Sequence, residues 1–61
     1  MTFSEAMENV YAGYKVRIAS WPEGVFLRLF DGGIFYEGLE NNLEFAINLQ
    51  MVRSTDWEVV Q

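Results

Sequence analysis

The stretch GVFLRLFDGGIFYEG, residues 24–38, decides the fold of this 61-residue chain. Along residues 24–30, aliphatic side chains alternate with aromatic and basic ones: Val25, Leu27 and Leu29 against Phe26, Arg28 and Phe30. This period of two predicts a strand with two different faces. The DGG at 31–33 predicts a tight hairpin turn, because Asp-Gly suits a type I′ turn and glycine accepts positive φ. Residues 34–38 are then the returning antiparallel strand.

The alternation is repeated upstream in KVRIASW, residues 15–21, which we predict to be the preceding strand. Its alternating positions are Val16, Ile18 and Ser20 on one face and Arg17, Ala19 and Trp21 on the other. Pro22 and Gly24 end this strand in a turn, since proline cannot donate to a sheet ladder. The sequence therefore predicts one strand face that carries Arg17 and Trp21 together.

An N-terminal helix over residues 2–12 precedes these strands in the prediction. Its apolar residues recur at helical spacing: Phe3, Ala6, Met7, Val10 and Tyr11. Thr2 and Glu5 have the spacing of a capping box, in which each side chain accepts from the other residue's backbone N–H. Gly13 stands where a left-handed C-terminal cap ends a helix.

The C-terminal third of the chain predicts three further elements. A polar turn over residues 39–42 leads into a strand over residues 43–47. Asn48 is the expected N-cap of a short helical turn over residues 49–53. Residues 56–60, DWEVV, read as the last strand.

The predicted order is α-β-β-β-β-α-β, and its connections are too short for parallel crossovers. We therefore predict a single α+β domain over residues 1–61. Its N-terminal helix packs on a small twisted antiparallel sheet, with a short second helical turn before the last strand.

Composition indicates that the chain associates with copies of itself. A domain of this size buries only about 60% of its unfolded surface, so it usually needs a disulfide, a metal or a partner. The chain has no cysteine and no histidine, which excludes disulfides and argues against a zinc site. Because 51% of the residues are hydrophobic, we expect a homo-oligomer, a dimer or tetramer.

The formal net charge of −5 restricts the partners. Binding to a nucleic acid polymer or an anionic membrane normally rests on a cationic surface, so neither is expected. A small anionic ligand remains compatible, because two or three local arginines suffice to hold it. The acidic N-terminal segment lacks the basic and hydrophobic regions of a signal peptide, so we expect a cytoplasmic location.

Catalysis is not expected from this residue set. A nucleophile–base pair lacks its usual members, since histidine and cysteine are absent. Asp56 and Glu58 share a predicted strand face, but solvated or salt-bridged carboxylates explain them better than a hydrolase pair does. We predict no catalytic residue, no metal ligand and no cofactor.

The arginines and aromatic residues are the best candidates for a binding site. Arg17 lies near Trp21, and Arg28 lies between Phe26 and Phe30 on one strand face. A guanidinium beside an aromatic ring offers a flat cationic surface to a base or phosphate. Trp21 is open to two interpretations, packing in a core or interface and stacking on a ligand. For Trp57 the core interpretation is favoured.

Three quoted segments together resemble a known family. They are FSEAMENVYAGYKVRIASW (3–21), FLRLFDGGIFY (26–36) and DWEVV (56–60). Their order and spacing are similar to those of the second Thoeris anti-defence family, which comprises small phage and prophage proteins.

The resemblance implies a non-catalytic sponge. Members of that family form oligomers, typically tetramers, that sequester cyclic ADP-ribose-type or cyclic oligonucleotide immune signals in pockets between protomers. The family's motif residues match Arg17, Trp21, Asp56 and Trp57. Where larger members carry an insertion that helps to build the pocket, this chain has the shorter segment 39–55. Within that segment we infer that Arg53 is best suited to reach a partner's pocket.

Two other functions stay open on the sequence alone. The acidic charge is compatible with a protein–protein inhibitor or nucleic-acid mimic that binds a host protein, which would need a contiguous acidic face. A small structural component whose sheet edge pairs with a larger protein is the third possibility.

Overall fold

The strands form one antiparallel sheet with the order β3-β2-β1-β4 in the computed structural model, which describes residues 1–39 and 43–60. The elements are α1 (Phe3–Tyr11), β1 (Lys15–Ile18), β2 (Phe26–Phe30), β3 (Gly33–Glu37), α2 (Leu49–Arg53) and β4 (Trp57–Val60). The predicted α+β fold is therefore confirmed. Within the described ranges, neither helix has the length and apolar character that crossing a bilayer requires.

The predicted hairpin turn joins β2 to β3 through Asp31 and Gly32. Their φ values are 50° and 81°, the positive values that a type I′ turn needs at both central residues. Phe30 consequently pairs with Gly33, and every later pair of the hairpin follows from that register.

Helix α1 begins and ends where the sequence predicts. The Thr2 N–H donates to Glu5 Oε1 at 2.9 Å, and the Glu5 N–H donates to Thr2 Oγ1 at 3.2 Å. Gly13 has φ +100° just beyond the last turn. The helix lies on one sheet face and contacts β1, β2 and β4, so Ala6 and Val10 are fully buried.

The core lies between α1 and this face of the sheet. Its buried hydrophobic residues are Ala6, Val10, Val16, Ile18, Leu27 and Trp57. Burying a side chain as large as that of Leu27 contributes about 1.5–3 kcal/mol relative to leaving it exposed. Because these residues come from α1, β1, β2 and β4, the core holds the helix and three strands together.

The strand predicted over residues 43–47 is wrong. This segment makes only an isolated bridge between Glu44 and Phe35, flanked by bonds from the Tyr36 N–H to the Leu43 carbonyl and from the Phe45 N–H to the Ile34 carbonyl. In this register Ala46 would lie opposite Gly33, the first residue of β3, so Ile47 has no residue of β3 to pair with. The predicted turn over 39–42 falls mainly on residues 40–42, outside the described ranges.

Strand β1 ends at Ile18, three residues earlier than the alternation predicts. The Ala19 N–H still donates to the Asp56 carbonyl, but the Trp21 N–H turns back to the Ile18 carbonyl at 2.9 Å. This turn breaks the period of two before it reaches Trp21. The prediction that Arg17 and Trp21 share a strand face is therefore wrong, because the Trp21 ring packs against the core.

Candidate functional site

The sheet face opposite α1 carries a mixed cationic and aromatic surface. We call it the arginine–phenylalanine face and define it by Arg17, Phe26, Arg28, Phe30 and Phe35. These side chains alternate with the buried ones on β1, β2 and β3, and the pairing of Arg28 with Phe35 places them on the same face. The pair Val16–Leu27 sets Arg17 beside Phe26 in the same way.

Arg28 lies at the centre of the aromatic part of this face. Its guanidinium carbon is 5.1 Å from the centre of the Phe30 ring, within the range of a cation–π contact. Its Nε lies 2.8 Å from Glu37 Oε1, an ionic contact without the alignment of a hydrogen bond. A recess of about 120 Å³ opens here, lined by Arg28, Phe30, Phe35 and Tyr36. The rings of Phe30 and Phe35 meet edge to face at 6.1 Å.

Arg17 is held more tightly than Arg28. Its Nη1 lies 3.7 Å from Glu58 Oε1, and its Nη2 donates to the backbone carbonyls of Ala19 and Trp21. Only 20% of the side chain is exposed. Its Nε is buried and has no hydrogen-bond partner within residues 1–39 and 43–60. A buried N–H without an acceptor is unusual in a folded protein, so the hydrogen bonding of this guanidinium is incomplete.

The two tryptophans lie on the other side of the sheet. Trp57 is 2% exposed, and its Nε1 donates to the Met51 carbonyl at 3.2 Å. The Trp21 ring meets the Trp57 ring edge to face at 5.5 Å and lies 5.7 Å from the Tyr36 ring. Of the two interpretations of Trp21, packing with the core describes its position. Trp57 is a core residue in this arrangement and has no ring face open to a ligand.

Arg53 lies apart from the arginine–phenylalanine face, and among the described residues Asp56 forms no ion pair with the arginines of that face. Arg53 is the last residue of α2 and is exposed beside a shallow recess of about 450 Å³. Asp56 immediately precedes β4, and its backbone carbonyl accepts from the Ala19 N–H. Of the six predicted ligand-binding residues, the structure brings Arg17 and Arg28 onto the arginine–phenylalanine face and packs Trp21 against Trp57 on the opposite side of the sheet.

The ionisable groups show two shifts with simple structural causes. Burial raises the pKa of Tyr36, whose ring contacts the rings of Trp21 and Phe45. Hydrogen bonds from the Thr2 backbone N–H and then its hydroxyl lower the pKa of Glu5. Among the described residues, no three histidine, cysteine or acidic side chains are grouped as metal ligands would be.

Sequence reasoning missed Phe35 as part of this face and Lys15 as its neighbour. The signal for Phe35 was present, because a two-residue I′ turn fixes Arg28 opposite Phe35. Lys15 Nζ lies 4.9 Å from the centre of the Phe26 ring, a contact that depends on the register between β1 and β2. The sequence of the connection between β1 and β2 does not specify that register.

Comparison with known proteins adds no family to this description. No family model, no curated protein and no solved structure matches the chain. The resemblance to the second Thoeris anti-defence family therefore stays a prediction.

Proposed function

We propose that this protein is a non-catalytic binder of a small nucleotide-derived anion, held in pockets between the protomers of a dimer or tetramer. On the strength of the family resemblance, we further propose that the protein is a phage anti-defence sponge in the host cytoplasm. Its ligand would be a cyclic ADP-ribose isomer or a cyclic oligonucleotide. The observation that carries the proposal is the cluster of Arg28, Phe30 and Phe35 around an open recess.

This cluster has the chemistry that a nucleotide requires. The guanidinium of Arg28 can donate to a phosphate, and a phenyl ring can stack on a base. Arg28 is paired with Glu37, and 37% of the arginine side chain is exposed and can be reached by a ligand. A recess of about 120 Å³ is smaller than a nucleotide. A second protomer would have to complete the pocket, as the proposal requires.

Two features support a second protomer on this face. Phe30 is 55% exposed, although phenylalanine gains free energy from burial. Helix α1 covers one face of the sheet, and a second copy would cover the other. The two together would bury apolar surface that a 61-residue domain is too small to bury by itself.

The proposal assigns sequestration rather than turnover to this site. The carboxylates nearest to the candidate recess and to Arg17 are Glu37 and Glu58, and both are paired with arginines. Each of these carboxylates contacts a guanidinium, and neither lines the recess. The ligand should therefore leave the protein unchanged.

Calorimetric titration with a panel of cyclic ADP-ribose isomers and cyclic oligonucleotides tests the proposal. Phe30→Ala should weaken binding by about 5- to 150-fold, because stacking one base on an aromatic ring contributes about 1–3 kcal/mol. Tyr14→Ala is the matched control, since Tyr14 is 57% exposed and lies outside the face. Absence of heat with every ligand would contradict the proposal, and a degraded ligand recovered by chromatography would indicate an enzyme instead.

Nucleic-acid mimicry, the alternative function, has weaker support. A mimic needs carboxylates in a contiguous row on one surface. The described carboxylates are distributed over α1 (Glu5 and Glu8), the β1–β2 connection (Glu23), the hairpin turn (Asp31), the strands (Glu37 and Glu58) and the segments on either side of α2 (Glu44 and Asp56). We therefore retain the sheet face as the proposed site.

A further inference from the structure

A second open surface lies on the other side of the molecule, between α1 and the segment that follows β3. One wall is a stripe of α1, namely Phe3, Met7 and Tyr11, and the other is formed by Phe45 and Ile47. Ile34 of β3 forms the floor of this groove, whose volume is about 520 Å³. Tyr11 and Ile47 are each 63% exposed, so large apolar side chains stand open on both walls. We call this surface the α1 groove.

The described charged side chains that line the α1 groove and its neighbouring recess are acidic. Glu44 is the one charged side chain among the described residues that line it. A neighbouring recess along the same stripe of α1 adds Glu8, again without a cation among its described lining residues. The rim of this apolar groove is therefore acidic, on a chain whose formal net charge is −5.

We propose that the α1 groove binds a basic amphipathic helical segment of a partner protein. Such a segment places apolar side chains at i, i+3, i+4 and i+7 into a groove and leaves its basic side chains at the rim. The wall from Phe3 to Tyr11 is about 12 Å long at 1.5 Å per residue, which matches two turns of a bound helix. Lysines at its edges would meet Glu8 and Glu44.

A second copy of this chain is a poorer occupant. A symmetric contact between two α1 grooves would place acidic rims against each other, and like charges at close range disfavour association. Three of the chain's four cations lie elsewhere: Lys15, Arg17 and Arg28 are on the strands of the opposite sheet face. The charge pattern therefore favours a cationic partner over self-association at this groove.

Fluorescence anisotropy with two labelled synthetic peptides tests the inference. One peptide carries leucine at i, i+3, i+4 and i+7 with lysine elsewhere, and the other replaces every lysine by glutamate. The basic peptide should bind and the acidic one should not. In the protein, Ile47→Lys should weaken binding of the basic peptide at least about tenfold, a loss of about 1.4 kcal/mol.

Leu49→Lys is the matched control, because Leu49 and Ile47 are both 63% exposed and the two variants change the net charge equally. Only Ile47 lines the α1 groove, so Leu49→Lys should weaken binding by less than about twofold. Equal losses in the two variants, or no binding of the basic peptide, would overturn the proposal. So would a change of oligomeric mass in Ile47→Lys alone, because the occupant would then be a second copy. Nucleotide titrations of Ile47→Lys should match those of the unmodified protein.

Discussion

At the scale of single residues, Gly38 is the position that tolerates least change. Its φ is +93°, and an added Cβ would overlap the backbone carbonyl of Gly24 and lie 3.1 Å from the Val25 Cα. Backbone atoms cannot swing aside as a flexible side chain can. The chain leaving β3 therefore passes so close to the chain entering β2 that position 38 has no room for a side chain.

Gly38→Ala should destabilise the fold by about 1–3 kcal/mol more than Gly13→Ala, the usual range for overpacking. Gly13 is the matched control, because its φ is +100° but an added Cβ there would meet nothing within 4 Å. Strain at the backbone is thus common to both variants, and only the overlap differs. Urea unfolding midpoints measure the difference, and equal midpoints would show that the close approach of Gly38 to Gly24 does not affect the free energy of unfolding.

The residue scale is also where prediction from sequence was least reliable. Arg28 lies where the alternation of β2 puts it, on the face away from the core. Trp21 does not, because a hydrogen bond from its own N–H to the Ile18 carbonyl closes a turn and redirects the side chain. A period of two holds only while the ladder continues, and the sequence contains no sharp signal for the last ladder bond.

At the scale of elements, α1 depends on its capping box. The pKa of Glu5 is lowered by the Thr2 backbone N–H and hydroxyl, so folding favours the charged carboxylate. This contribution to stability is fully present above the ordinary pKa of 4.5 for the unfolded chain, and it is lost as pH falls through the lower folded value. The negative charge also favours the helix N-terminus.

Glu5→Gln should therefore lower the thermal midpoint at pH 7 and have a smaller effect at acid pH, as the Glu5 carboxylate becomes protonated and loses the charge that glutamine lacks. Glu8→Gln removes the same charge from the same helix without touching the capping box, so its effect at pH 7 should be smaller. Circular dichroism melts at the two pH values measure this. A Glu5→Gln effect of the same size at both pH values would contradict the assignment.

Elements with strong local signals were predicted well. Capping residues fixed α1 and α2, and the Asp31–Gly32 turn fixed the β2–β3 register and hence the position of Phe35. The segment 43–47 had a strand-like composition, but pairing also needs a partner of sufficient length. Strand β3 begins at Gly33, two residues before Phe35, the partner of Glu44, so Ile47 has no strand residue opposite it; that limit comes from tertiary arrangement rather than from residue type.

At the scale of the whole molecule, one sheet face is covered by α1 and the other carries Phe30 in the open. If the uncovered face joins two protomers, a negative charge in place of its exposed phenylalanine should separate them. Phe30→Glu should shift the mass measured by light scattering from a multiple of 7.1 kDa to the monomer. Tyr14→Glu, at a residue of nearly equal exposure, should keep the oligomer. A parent protein that is already monomeric would contradict the shared face.

The five phenylalanines allow the central claim to be tested in one measurement. Phe26, Phe30 and Phe35 belong to the arginine–phenylalanine face, whereas Phe3 and Phe45 line the α1 groove. In protein labelled with 4-fluorophenylalanine, single Phe→Leu variants assign the five fluorine resonances. Titration with the cyclic nucleotide that binds best should shift the first three resonances and leave the other two in place. Shifts confined to Phe3 and Phe45, or no shift with any member of the panel, would contradict the account.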